Sequence, residues 1–149
     1  MEGIEDVMET FNSKMGIGLV LSAHSGFTVK YPNQIDVNIE SDEAGNRFLI
    51  CSELPTVPGG PYRNNLLMAA LKTNGLPSPR HGTLAFSPQG DIIIMFEYLY
   101  LRGLDSEDMF LYVSEFAKKA KLWSDAIKNG DIPQVVGDVF QSDNLFGIR

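Results

Sequence analysis

The chain has 149 residues, of which 44 % are hydrophobic and 21 % are charged, and its formal net charge at neutral pH is −7. This length and composition predict one soluble globular domain with a core of its own. The negative charge argues against nucleic acid and anionic membrane surfaces as partners, because both would repel the protein. The single cysteine, Cys51, excludes an internal disulfide, and the absence of a signal peptide favours a cytoplasmic protein.

The N-terminal segment Glu2–Met15 is predicted to form an amphipathic helix. Its apolar residues recur at helical spacing and share one face: Ile4, Val7, Met8, Phe11 and Met15. Burial of such a stripe is worth roughly 7–15 kcal/mol, so this face has to be covered. Two interpretations remain open at this point: the stripe packs on a sheet as core, or part of it lines a groove for a partner.

An antiparallel meander is predicted to follow, after an apolar connector over residues 17–23 that could be extended. In the middle strand of the meander, Ile35, Val37 and Ile39 alternate with polar residues, which is typical of a strand with one wet face. The polar segments between the strands carry turn residues such as proline, asparagine and glycine. The three predicted strands are Phe27–Tyr31, Gln34–Ser41 and Arg47–Leu54.

A helix, two strands and a long helix are predicted for the second half of the chain. Pro61 is well placed to begin the first of these helices, and Asn74-Gly75 to end it. Asp105 is a suitable N-cap for the long helix, in which apolar residues from Met109 to Ile127 trace one stripe. The predicted elements are a helix over Tyr62–Thr73, strands over Gly82–Ser87 and Asp91–Leu101, and a helix over Ser106–Lys128.

The stretch Asp91–Leu101 differs from the other predicted strands because both of its faces are apolar. Only Glu97 interrupts the hydrophobic run between Ile92 and Leu101. A strand points alternate side chains to opposite faces, so a cover is needed on each side. Either one chain supplies both covers, or a second subunit or a partner supplies one of them. The order of elements, α-β-β-β-α-β-β-α, predicts an α+β fold with three helices on an antiparallel sheet.

No motif for catalysis, nucleotide binding or metal binding stands out. Gly16-Ile17-Gly18 lacks the third glycine of a dinucleotide fingerprint and follows a predicted helix, and there is no phosphate-binding glycine loop. Cys51, His24 and His81 could be combined on paper as a nucleophile and bases, although so few residues occur by chance in any chain of this size. The sequence therefore predicts no enzyme activity, no cofactor and no metal.

Several pieces of the chain together carry a family resemblance. They are Leu54-Pro55, the helix residues 66–74 (LLMAALKTN), residues 82–90 (GTLAFSPQG), the strand Ile92–Tyr100, and Leu104-Asp105 with the long helix that carries Phe116 and Trp123. In size, acidity, element order and spacing, the chain resembles the class I type III secretion chaperones, small acidic bacterial proteins that escort effectors. The segment after Lys128 lies outside this resemblance.

The resemblance implies a cytoplasmic homodimer that binds the N-terminal segment of a secreted effector in extended form, without a nucleotide. The helix over Tyr62–Thr73 and the strand Ile92–Tyr100 would form the subunit interface, and the first helix and first strands would contact the client. An unpaired strand edge could also accept a client strand. The implied client contacts are Ile4, Val7, Phe11, Ile35, Val37 and Phe48, and the implied dimer contacts are Leu67, Leu71, Ile93, Met95 and Leu99.

Two alternatives of other classes stay open on the sequence. One is a small α+β enzyme or ligand-binding domain with a pocket near His24, His81 and Cys51. The other is an adaptor or regulator that binds folded partners through the same apolar surface. In each case we expect one domain over residues 1–130, followed by a tail over residues 131–149 that is too apolar for plain disorder and could dock on the domain.

Overall fold

A computed structural model of the chain describes residues 19–21, 26–31, 35–41, 47–77, 81–100, 102 and 105–134. The strands are β1 (Leu19–Leu21), β2 (Gly26–Val29), β3 (Val37–Ser41), β4 (Arg47–Thr56), β5 (Thr83–Ser87) and β6 (Ile92–Tyr100). The helices are α1 (Pro61–Asn74), between β4 and β5, and α2 (Ser106–Asn129), after β6. The predicted helix Glu2–Met15 and the tail beyond residue 134 lie outside the described residues.

The six strands form one antiparallel sheet in the order β1-β2-β3-β4-β6-β5. The first four strands are a meander, in which β2, β3 and β4 correspond to the three strands predicted from the alternating pattern and turn residues. The chain then leaves the sheet through α1 and returns at the far edge as β5, so that β6 comes to lie between β4 and β5. The longest pairing joins β4 to β6, with Phe48 opposite Leu99, Ser52 opposite Met95, and a register shift between Glu53 and Thr56.

One face of the sheet, which we call the inner face, carries the hydrophobic core. Alternate residues of each strand point to this face, since a strand turns successive side chains to opposite sides. They pack with the apolar stripe of α2, whose predicted members Met109, Val113, Phe116, Ala120, Trp123 and Ile127 are all buried. The inner-face residues that are buried in this core are Val29, Val37, Ile39, Phe48, Ile50, Leu54, Leu84, Ile93 and Met95.

Both ends of α2 are capped, and the N-terminal cap is the residue that the sequence predicts. The side chain of Asp105 accepts a hydrogen bond from the Asp108 backbone N–H at 2.8 Å, which satisfies a donor that the first turn would leave unpaired. At the other end Gly130 adopts the left-handed conformation (φ 73°), and the N–H of Asp131 bonds to the carbonyl of Ala126 at 2.8 Å. These caps define where the long covering helix begins and ends.

The core comes very close to the backbone just before β5. Gly82 has φ +136°, and a Cβ atom added there would lie 3.0 Å from Met95 Cγ and 3.1 Å from Phe116 Cε2. The Gly82 carbonyl accepts a hydrogen bond from Lys119 Nζ of α2 at 2.7 Å. A glycine at this position therefore lets β5 enter the sheet directly beneath α2.

The α+β class and the order of the described elements confirm the sequence prediction. The apolar connector over residues 17–23, predicted as possibly extended, contains β1, which pairs with β2. Among the described residues, no helix is long and apolar enough to cross a membrane.

Candidate partner-binding surface

The face of the sheet opposite the core, which we call the outer face, presents apolar side chains on its central strands. On this face every side chain of β4 and β6 is exposed or half-buried, and Tyr98 and Tyr100 are 40 % and 58 % exposed. No helix in the part of the chain that the structure describes buries them. We call the apolar residues here the outer patch: Leu49, Ala85, Ile94, Phe96 and Tyr98.

Helix α1 extends the outer patch beyond the edge of the sheet. The helix buries Leu66, Ala69, Ala70 and Thr73 but leaves Met68 and Leu71 57 % and 67 % exposed. An apolar groove of about 180 Å³ runs between α1 and β5, with Leu67 and Leu71 on the helix side and Ala85 and Phe86 on the strand side. A continuous apolar surface therefore links α1 to the outer patch, and exposed surfaces of this kind mark interaction sites.

An arginine stacked on two tyrosines borders the outer patch. The Arg47 guanidinium lies 4.0 Å from the ring centroid of Tyr98 and 5.9 Å from that of Tyr100. Its Nη1 also donates a hydrogen bond to the Tyr100 hydroxyl at 3.4 Å. The stack orients the two rings and places a positive charge at the border of an otherwise apolar area.

The other half of the outer face, on β2, β3 and β4, is polar. Thr28 Oγ1 donates to Asn38 Oδ1 at 2.8 Å, and Glu40 and Glu53 flank Cys51 on the same face. Burial raises the pKa of the Cys51 thiol, and the two carboxylates raise it further. The thiol is therefore kept protonated and unreactive at neutral pH.

A second concave area lies where the end of β4 meets the C-terminal half of α2. It is an open cleft of about 770 Å³ with mixed walls, in which Ile35 and Ile92 are apolar and Asp36 and Glu53 are acidic. On its helix side, Lys121 Nζ and Asp125 Oδ2 form an ion pair at 2.7 Å. Within the described residues no group of three or more potential ligands could hold a metal ion.

The two edges of the sheet differ. At one end, β1 pairs with β2 on one side, and none of the described residues pairs with its other side. At the other end, β5 pairs with β6 and contacts α1 on its free side. An edge strand with unpaired backbone groups is a template for another strand, so β1 is the open edge in this part of the molecule.

The client contacts predicted from the sequence fall into three groups. Ile4, Val7 and Phe11 lie outside the described residues. Ile35 is half-buried in the wall of the cleft.

The remaining two predicted client contacts, Val37 and Phe48, need correction. They point to the inner face and are only 0 % and 2 % exposed, so they belong to the core and offer no surface to a partner. Alternation along a strand separates its two faces but does not reveal which of them is covered from within the chain.

The dimer contacts predicted from the sequence differ in their exposure. Leu67 and Leu71 line the groove between α1 and β5, and Ile93 lines the same groove. Ile93 and Met95 are 0 % exposed on the inner face, and Leu99 packs half-buried against the same core, so these three residues present little surface to a partner. The residues on the opposite face of β5 and β6 that are exposed or half-buried, and that the sequence analysis did not name, are Ala85, Ile94, Phe96, Tyr98 and Tyr100.

A signal for the accessible face of β6 was present in the sequence. Tyr98 and Tyr100 share one face, and a tyrosine hydroxyl usually lies where it can reach water or a polar partner. The tyrosine face was therefore the better candidate for the exposed side of β6.

The alternative pocket around Cys51, His81 and His24 does not form among the described residues. Cys51 points to the outer face, whereas the His81 ring packs on Tyr112 of α2, with ring centroids 5.3 Å apart, on the side of the core. His24 lies outside the described residues. Burial lowers the pKa of His81, which keeps the ring neutral at neutral pH. The thiol and this imidazole are thus on opposite sides of the sheet, too far apart for a nucleophile and its base.

Comparison with known proteins gives no match at the level of sequence. No protein-family model matches the chain, and no curated protein matches it.

Solved structures, in contrast, share the fold. A chain of the HopA1–SchA chaperone-effector complex is similar with a TM-score of 0.64 and 15 % identity, over 82 % of this chain and 93 % of that one. The Yersinia pestis type III secretion chaperone SycH, solved with a fragment of YscM2, has a TM-score of 0.60 and 12 % identity, over 77 % and 94 %. YbjN from E. coli, described as a putative transcription regulator, has a TM-score of 0.60 and 13 % identity, over 84 % and 92 %. The chain therefore has the fold of type III secretion chaperones, and YbjN shares this fold.

Proposed function

We propose that the protein is a cytoplasmic chaperone of bacterial type III secretion, which binds the N-terminal segment of an effector in extended form and keeps it competent for export. The observation that carries the proposal is the fold, because chains with the same fold occur in solved complexes of chaperones with effectors. The formal charge of −7 and the large exposed apolar surface suit a protein that binds another protein. No reaction and no cofactor are part of this function.

An extended client could bind at the open edge of β1 by adding a strand to the sheet. A client strand added there would form backbone hydrogen bonds that give affinity, while pockets for alternate side chains give selectivity. Ordering such a segment costs about 2–5 kcal/mol, so apolar contacts have to add to the backbone bonds. The candidates for these contacts are the half-buried Ile35 and the predicted client residues outside the described part of the chain, Ile4, Val7 and Phe11.

The proposal includes a homodimer that buries the outer patch. A two-fold interface brings the same surface of both copies together, which suits a patch that continues from β6 across β5 to α1. Such a dimer would explain why β6 is apolar on both faces, since α2 covers the inner face and the second copy would cover the outer one. The proposed dimer contacts are Leu67, Leu71, Ala85, Ile94, Phe96 and Tyr98.

A second candidate function is suggested by the similarity to YbjN. A regulator or adaptor with this fold would bind a folded partner through the outer patch, and not an extended segment at an edge. The two functions differ in the state of the bound partner, which can be measured directly.

Capture of the partner from cells tests the proposed function. We expect the tagged protein to retain a secreted protein through its N-terminal region, identified by mass spectrometry. The variant Val7→Asp with Phe11→Asp should lose this partner, because two charges on the apolar stripe would disfavour contact with an apolar client.

The matched control is Thr10→Asp with Ser13→Asp, which adds the same charge to the polar side of the same predicted helix and should retain the partner. Both variants must first show the circular dichroism spectrum and the melting temperature of the parent protein. Retention of the partner by the folded Val7→Asp, Phe11→Asp variant would refute a client groove on this helix.

A further inference from the structure

Backbone groups at the free edge of β5 are bonded by side chains of the same chain, and one of these side chains is an asparagine amide. Leu84 lies opposite Met95 in the β5–β6 pair. Its N–H donates to Asn74 Oδ1 at 2.9 Å, and its carbonyl accepts from Asn74 Nδ2 at 2.8 Å. Because residues of an antiparallel pair alternate between bonding the neighbouring strand and pointing away from it, Leu84 directs both groups outward. One asparagine satisfies both of them.

The amide of Asn74 presents the same groups that a residue of a neighbouring strand would present. A carboxamide carries one acceptor and N–H donors at one end, so it can close a ring of two hydrogen bonds with one outward-facing residue. The previous outward-facing position, Gly82, is also occupied, because its carbonyl accepts from Lys119 Nζ at 2.7 Å. Two successive outward positions, Gly82 just before β5 and Leu84 on β5, are therefore bonded within the chain.

The position of α1 holds this amide in place. Asn74 is the last residue of the helix, and the N–H of Gly75 after it bonds to the carbonyls of Leu71 and Lys72. At the start of the helix, the Tyr62 hydroxyl donates to the carbonyl of Asp131 at 2.8 Å. With Leu66 and Ala70 buried between these ends, the helix fixes the amide against Leu84.

We propose that Asn74 acts as a built-in substitute for a neighbouring strand, which closes the β5 edge against strand addition. Of the two ends of the sheet, β1 is then the more open to an extended segment within the described part of the chain. That this segment is the client rests on the proposed function, whereas the closure of β5 does not. Asn74 is thus a residue that determines where on the sheet a strand can bind.

Removing the amide should expose Leu84 and open the edge to β5 of a second copy. In Asn74→Leu the side chain keeps a similar size but has no hydrogen-bonding group. We expect the amide of Leu84 to exchange its hydrogen roughly tenfold faster or more, as measured by NMR at low protein concentration. As the concentration rises, we expect this variant to associate to a larger mass than the parent protein, because an unpaired edge strand templates pairing.

The matched control is Asn65→Leu, the same replacement at an exposed position of the same helix. It should keep the parent's Leu84 exchange rate and the parent's mass in analytical ultracentrifugation. An Asn74→Leu protein that folds but exchanges Leu84 at the parent's rate would refute the two hydrogen bonds. One that exchanges faster but keeps the parent's mass at every concentration would refute the role of Asn74 in closing the edge.

If Asn74→Leu does not fold, Asn74→Ala gives the same decision. Its methyl group reaches neither backbone group of Leu84 and adds no charge, so we expect both the faster exchange of the Leu84 amide and the larger mass. The parent's mass for this folded variant would overturn the proposal. These measurements use no client, so a failure of the chaperone function would leave their outcome unchanged.

Discussion

Replacing Leu71 by aspartate is expected to convert the proposed dimer into a monomer that keeps its fold. Leu71 is 67 % exposed on α1, so the substitution removes little packing within one chain. A two-fold interface contains the residue twice, and burial of each leucine is worth about 1.5–3 kcal/mol. The loss of roughly 3–6 kcal/mol corresponds to a dissociation constant about 10²–10⁴-fold higher.

Sedimentation equilibrium of the parent and variant proteins measures this change. Leu122→Asp is the matched control, because Leu122 is 57 % exposed but lies on α2, away from the proposed interface. The control should dimerise as the parent does. If the parent is a monomer at micromolar concentration, or if Leu71→Asp dimerises with unchanged affinity, the second copy does not cover the outer patch.

Replacing Phe116 by alanine is expected to give one of the largest losses of stability among single substitutions in α2. Phe116 is 0 % exposed, and its ring lies directly above Gly82, where β5 enters the sheet. Truncation of a buried phenylalanine leaves a cavity and costs about 3–5 kcal/mol, which lowers the melting temperature by about 6–20 °C in a chain of this size.

The control for this substitution is Phe110→Ala, which makes the same chemical change at a half-buried position of the same helix. We expect it to lower the melting temperature by less than half as much, since its ring is only partly removed from water. Both variants are compared by thermal unfolding at one protein concentration, because dimerisation makes the melting temperature concentration-dependent. Equal losses for the two variants would mean that Phe116 is not at the centre of the core.

The helices and most of the strands were predictable because the patterns that identify them lie within short stretches of sequence. The stripe from Met109 to Ile127 and the caps Asp105 and Gly130 identify α2, and the pattern of β3 identifies a strand. The order of the strands was not predicted, since nothing local in the sequence places β6 between β4 and β5. Side-chain patterns did not indicate β1 clearly, and residues 17–23 were predicted only as a possibly extended connector. The pairing with β2 shows that Leu19–Leu21 of this connector form a strand.

The candidate surface was predictable only in part, for a physical reason. An apolar stripe shows that a face has to be covered but not by what. On β6 both faces are apolar, and the prediction assigned the dimer to Ile93 and Met95, whereas these residues are buried in the core of one chain and Phe96 and Tyr98 are accessible. The role of Asn74 was also beyond the sequence, because its partner Leu84 is brought to it by the path of the chain around β5.

The state of the captured partner tests the proposed function most directly. The measurement is hydrogen exchange, read by mass spectrometry, on the purified complex and on the partner alone. We expect protection in one N-terminal segment of the partner, of the length of a few strands, without the uniform slow exchange of a folded core. A partner that is protected throughout a folded domain, with its N-terminal segment unprotected, would contradict the chaperone function and support an adaptor that binds folded proteins.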